Sequence, residues 1–96
     1  MSYKLKFLPS ALREWKKLSQ PLQTQFKKKL SHILENPHRP ASQLRGFTRV
    51  YKIKLHASGY RLVYEVDDNT VVVYVIAVGK RERGLVYAKA KQRSGK

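Results

Sequence analysis

The sequence predicts an α+β fold: an N-terminal strand, a helical hairpin, a three-stranded antiparallel meander and a basic C-terminal helix. Three observations predict it. Apolar residues recur at helical spacing through the first third of the chain. Further on they alternate with polar residues on both sides of a short turn. One run, "TVVVYVIAV", is apolar throughout. At 96 residues and 42% hydrophobic, the chain can build a core, and it is the length of one compact domain, residues 1–96.

Each element follows in order. Tyr3, Leu5 and Phe7 alternate with Lys4 and Lys6 in a half-buried first strand from Tyr3 to Leu8, which Pro9-Ser10 ends. Ser10 is placed to cap a short helix carrying Leu12, Trp15 and Leu18. Pro21 stops that helix and suits the start of a second. There Leu22, Phe26, Leu30, Ile33 and Leu34 form an apolar face, with Lys27, Lys28 and Lys29 in the gaps. Asn36-Pro37 closes the second helix, and "PHRPASQLRGFTR" is a loop. "YKIKLHASGYRLVYEV" is a hairpin turning at His56-Ala57-Ser58-Gly59, and Asp67-Asp68-Asn69 makes a second turn. Thr70 to Val78, apolar on both faces, belongs inside the sheet, and Gly79 is expected to end it. The basic tail turns weakly helical from Leu85.

Charge narrows the function classes. Twenty-one Lys+Arg against six Asp+Glu give +15. Self-repulsion of that size costs stability, and its usual use is to attract a polyanion. Nucleic acid leads as the partner, with an acidic protein or an anionic membrane face as alternatives. The absence of cysteine removes disulfides and thiolate chemistry. His32, His38 and His56 lack metal-ligand spacing, as do the carboxylates Glu14, Glu35, Glu65, Asp67, Asp68 and Glu82, so no metal is expected. Gly79 stands alone before Lys80-Arg81, so there is no glycine-rich phosphate loop and no nucleotide cofactor is expected. No apolar run could span a bilayer, and "MSYKLKFLPS" does not read as a signal peptide. A soluble, cytoplasmic protein without a membrane partner is the expectation.

The cations that remain are grouped. If the four-residue turn closes symmetrically, Leu55 faces Tyr60 and Lys54 faces Arg61. Like charges directly opposed on a sheet repel, and Lys52, two residues before Lys54, joins them on that face. Lys80, Arg81 and Arg83 follow where the central strand ends, with Tyr87 a few residues on. Such a set fits a phosphodiester whose charge rises as it is cleaved. An arginine fork holds two phosphate oxygens, and a lysine crowded by cations gives up its proton more readily. An aromatic ring stacks on an unpaired base. RNA supplies its own nucleophile, the 2′-OH, so no metal-activated water is required. A passive phosphate-binding patch beside a core tyrosine fits the same residues.

A longer pattern separates these readings. "ALREWKKL", "KKKL", "LRG", "SGYRLVYEV" and "VVVYVIAVGKRER", followed by Val86-Tyr87, resemble the RelE family of bacterial toxins from type II toxin–antitoxin pairs. The likeness covers nearly the whole chain and keeps the spacing of sheet cations, post-strand arginines and tyrosine. It implies a RelE fold of the microbial-RNase type. It also implies a metal-independent endoribonuclease that cuts mRNA in the A site of the 70S ribosome by 2′-OH attack, leaving a cyclic phosphate. By that resemblance Lys52 and Lys54 serve proton transfer and charge stabilisation, and Arg61 holds the scissile phosphate. Arg81 binds the phosphate and protonates the leaving oxygen, and Tyr87 stacks on the cleaved nucleotide. Lys54 and Tyr87 both stay open as the general base. Lys80, Arg83 and Arg45 would contact RNA or the ribosome. The implied partners are the ribosome, a cognate RelB-type antitoxin, and operator DNA only through the antitoxin complex. The alternatives are a ParE-like toxin directed at gyrase and a non-catalytic nucleic-acid-binding module. Two departures bear on the terminal helix: Gly84-Leu85 at its start, and "KQRSGK", which lacks an apolar end.

Overall fold

A computed structural model describes residues 2–55, 58–80 and 84–94. The elements are β1 (Lys4–Phe7), α1 (Pro9–Lys16), α2 (Gln20–Glu35), a 3-10 turn (Pro40–Ser42), β2 (Val50–Leu55), β3 (Tyr60–Asp67), β4 (Val72–Lys80) and α3 (Leu85–Arg93). This is the predicted order. Prolines set both helix starts, because a proline in the first turn has a suitable fixed φ and needs no N–H. α1 therefore begins before the Ser10 cap expected from sequence: Leu8 takes the cap position, and no side chain bonds there. Its inward face runs through Ala11 and Trp15, buried Leu18 follows just after it, and the expected Leu12 is 36% exposed.

The sheet order is β1-β4-β3-β2. β2, β3 and β4 form the expected antiparallel meander, and β1 adds to β4 in parallel, Lys4 beside Val72 through Phe7 beside Val75. β4 is thus interior, as its two-sided apolar pattern requires. Two layers cover the sheet. On one face α1 and α2 close over Trp15, Phe26, Leu30, Tyr51, Leu62, Tyr64 and Val75. On the other, Val86 and Ala90 of α3 pack on Val50, Val63, Ile76 and Ala77. The departures at Gly84-Leu85 and the polar end do not prevent this docking. Gly84, at φ +71, adopts the left-handed turn into α3 that glycine permits best.

β4 differs from the expected Thr70 to Val78 at both ends, and it begins only at Val72 because Thr70 and Val71 still belong to the turn. It does not end at Gly79, because Gly79 still pairs with Arg61, and Tyr60 with Lys80. Neighbouring strands supply the order that glycine alone would weaken. The register also shifts between Val63 and Tyr64, whose partners are Ala77 and Val75. Ile76 is the extra residue, and Ile76 and Ala77 both face α3. The second turn forms as expected: Asp67 Oδ1 accepts from the N–H groups of Asn69 and Thr70.

Candidate active site

The β2–β3 hairpin puts its cations together in the expected register. Lys54 pairs with Arg61 and Leu55 with Tyr60. Gly59, at φ +74, donates its N–H to Leu55 O across the turn, whose His56 and Ala57 lie outside the described residues. Because Lys52 pairs with Val63, and Val63 faces α3, side-chain alternation puts Lys52, Lys54 and Arg61 on the α3 face. Gly79 is the other neighbour of Arg61, and a Cβ built on it meets nothing within 4 Å. The row Lys54–Arg61–Gly79 is thus two cations beside a bare stretch of backbone, open on the site face among the described residues.

Arg61 is the unusual member. It is 8% exposed, the buried charged residue of the fold among those described. Its NH1 donates to Tyr60 O at 3.1 Å, while buried Nε finds no acceptor among the described residues. No carboxylate among them pairs with Arg61 or Lys54. A buried guanidinium without a counter-charge costs stability. An anion arriving at the open row would relieve that cost with charge-assisted bonds. Lys54, by contrast, is exposed.

The remaining predicted residues divide. Tyr87 is half-buried on α3, packed beside the Val63–Ile76–Val86 cluster on the site's own face. Lys80 is not on that face. It pairs with Tyr60, which packs on the α1–α2 side, and its Nζ lies 5.7 Å from the centre of the Tyr60 ring. The face reverses at each residue, so Lys80 cannot share one with Gly79 and Arg61 across the same pairs. Arg45 is exposed on the loop before β2, where Phe47 N donates to Leu44 O, at the far end of β2 from Lys54. Arg81 and Arg83 lie outside the described residues. An open depression of about 480 Å³ runs from Lys52 and Lys54 to Lys29, His32 and Arg39, extending the positive surface along the sheet edge. Nothing in the sequence signals that Lys29, His32 and Arg39 join Lys52 and Lys54, because α2 and the following loop meet β2 only in the folded chain.

Glu14 was also missed. Its Oε1 accepts from Val78 N–H at 3.0 Å and from Arg93 NH1 at 3.0 Å, and its Oε2 from Lys89 Nζ at 3.1 Å and Arg93 NH2 at 3.2 Å. Burial pushes its carboxyl up, but the bonds from Arg93, Val78 N–H and Lys89 outweigh it and hold the group below the usual carboxylate range. A second polar cluster sits where β1 begins and β3 ends. There Asp68 Oδ1 accepts from Tyr3 OH at 2.7 Å and meets His38 Nε2 at 2.8 Å, and His38 Nδ1 lies 3.2 Å from Tyr51 OH. The hydrogen bonds from Tyr3 and His38 lower the Asp68 pKa. Among the described residues no three of His, Cys, Asp or Glu converge as metal ligands. No helix among them is long and apolar enough to cross a membrane.

Comparisons with known proteins identify the family and match the fold. Residues 5–85 match the family described as the ParE toxin of type II toxin–antitoxin systems, parDE. The chain is 55% identical over 93 residues to the mRNA interferase toxin RelE of Escherichia coli strain K12, covering 97% of this chain and 98% of that one. It is 53% identical over 93 residues to an Escherichia coli protein named as a RelE-like toxin, with the same coverage. Among solved structures, a mutant of the E. coli toxin RelE in the free state superposes with a TM-score of 0.91 at 52% identity, covering 98% of this chain and 99% of the other. The toxin in the intact E. coli RelBE toxin–antitoxin complex superposes with a TM-score of 0.82 at 55% identity, covering 85% of this chain and 100% of that one. With a family match over residues 5–85 and 55% identity to RelE over nearly its full length, the chain belongs to the RelE-type mRNA interferases of the RelE/ParE toxin superfamily.

Proposed function

We propose that this toxin inhibits translation by cutting mRNA in the ribosomal A site, using the Lys54–Arg61 row as its reacting centre. The observation that carries the reading is Arg61 itself, a buried guanidinium whose Nε has no acceptor among the described residues, beside Lys54 and open Gly79. Arg61 holds the scissile phosphate. The 2′-OH attacks phosphorus and loses its proton to a base, Lys54 or Tyr87. The bond to the 5′ oxygen breaks, that oxygen takes a proton from Arg81, and a 2′,3′-cyclic phosphate remains. Lys52 and Lys54 balance charge that appears only in the transition state, and Tyr87 stacks on the nucleotide. This reaction needs no metal. Lys80, Arg83 and Arg45 contact RNA outside the reacting centre, Lys80 from the opposite face of the sheet.

A RelB-type antitoxin neutralises the toxin, partly by displacing α3 and covering the cationic face, and operator DNA is reached only through that complex. Hydrogen exchange in the complex should then show residues 85–92 becoming less protected, and increased protection would rule displacement out. The central experiment is in vitro translation with purified protein followed by primer extension on the mRNA. Cuts in phase with the reading frame are expected. Intact mRNA with inhibited DNA supercoiling would instead support a gyrase-directed toxin.

A further inference from the structure

The parallel ladder between β1 and β4 stops where Leu8 N donates to Val75 O at 3.0 Å. Beyond that point, among the described residues, two side chains bond to the β4 backbone. Arg93 NH1 donates to Ile76 O at 2.9 Å, and Glu14 accepts from Val78 N–H at 3.0 Å. The two side chains also bind each other, through two hydrogen bonds of 3.0 and 3.2 Å. The Glu14–Arg93 pair thus stands in for the missing strand, one group supplying the acceptor and the other the donor. Glu14 belongs to α1, on one face of the sheet, and Arg93 to α3, on the other.

From this we infer that Glu14 is a positioning residue for the cleavage reaction, acting through α3 to hold Tyr87 on the sheet face that carries the Lys54–Arg61 row. Apolar packing alone holds α3 weakly, since it buries only Val86 and Ala90 fully, with Tyr87 half-buried. Both anchors of the helix's second half, Lys89 and Arg93, end on the Glu14 carboxylate. Glu14 and Arg93 side chains are 16% and 21% exposed, so salt screens the pair less than a surface bridge. Replacing the carboxylate with an amide would leave Arg93 and Lys89 without their counter-charge, and the helix would fray from its C-terminal end towards Tyr87.

The inference rests on the proposed role of Tyr87, so its test has one arm that needs no RNA. Hydrogen exchange on the free protein should show faster exchange in residues 88–93 for Glu14→Gln and Arg93→Ala, with β3 unchanged. Single-turnover cleavage on programmed ribosomes should slow by roughly tenfold to a hundredfold at saturating toxin, because small displacements of a positioned group cost this much. Half-saturation should hardly move. Arg93→Lys, which keeps the charge but loses the fork, should fall between. In a Tyr87→Ala background, Glu14→Gln should slow cleavage by less than about twofold, the non-additivity of groups that act as a unit. Full additivity, or α3 exchange identical to wild type in both variants, would overturn the inference. If Glu14→Gln does not fold, Arg93→Ala reads the same contact from the other partner. If the wild type cuts nothing, the mRNA-cleavage reading fails while the exchange arm still decides whether Glu14 holds α3.

Discussion

The two faces of the sheet are built for different tasks. The α1–α2 face buries large side chains: Trp15 lies 5.4 Å from Phe7 and 6.1 Å from Phe26 between ring centres, and Tyr51 stacks on Tyr64 at 5.4 Å. The buried Tyr64 hydroxyl donates to Pro37 O, and burial raises its pKa. The α3 face buries mostly valine and alanine, under one nine-residue helix tied down by ion pairs. It is also the face that presents Lys52, Lys54 and Arg61. A sheet that draws most of its apolar packing from one side can carry on the other a buried arginine whose Nε has no acceptor among the described residues.

The largest test of this division removes an aromatic from the thick face. Phe26→Ala should cost about 3–5 kcal/mol, whereas Val86→Ala on the thin face should cost about 1–2 kcal/mol, both read from urea unfolding. Equal losses would mean that α3 carries as much of the fold as the helical hairpin does.

Next come the opposed cations, where sequence treats two residues alike and structure separates them. Arg61→Ala and Lys54→Ala should each slow single-turnover cleavage by about 10²–10³-fold, the range for losing one group that stabilises transition-state charge. Exposed Lys54 faces only a like charge, so Lys54→Ala should leave thermal stability unchanged or slightly higher. Arg61 is buried, so Arg61→Ala also removes the packing of its aliphatic stem, and a modest loss of stability is expected. Arg61→Lys should recover stability better than activity, because the two-pronged contact is gone. Alanine variants that cut at wild-type rates when folded would make the cations structural.

Ribosome affinity should fall steeply between low and moderate salt, since +15 is spread over both faces and each phosphate contact releases counterions. The single-cation variants should keep nearly the same slope. A flat dependence would remove the basic surface from recognition.

The smallest effect is in acid. The Glu14 carboxyl is depressed in the folded state, so its contribution is fully present above the unfolded value of about 4.3 and is lost as pH falls through the lower folded value. Asp68, lowered by Tyr3 and His38, acts in the same direction at the opposite end of the sheet. Urea unfolding from about pH 6 to about pH 3 should therefore show a shallower acid decline for Glu14→Gln than for wild type. An identical decline would show that Glu14 does not link the two faces energetically.

Short-range periodicity and turn length made part of the fold legible from the residues alone. Helical spacing gave Phe26, Leu30 and Ile33 their common face, and two-sided apolarity placed β4 inside the sheet. A four-residue turn ending in a left-handed Gly59 set Lys54 opposite Arg61, and so most of the proposed reacting row was legible. Tertiary structure decided the rest. The parallel pairing of β1 with β4 leaves no periodic trace, because it joins residues far apart in the chain. Gly79 stays in its strand only because Arg61 and its neighbours hold it there. That continuation sends Lys80 to the opposite face, although it follows Gly79 directly in sequence. Glu14 had no legible role, since its partners lie at Val78, Lys89 and Arg93, and a carboxylate's spacing to its chain neighbours says nothing about a bond made across the sheet edge.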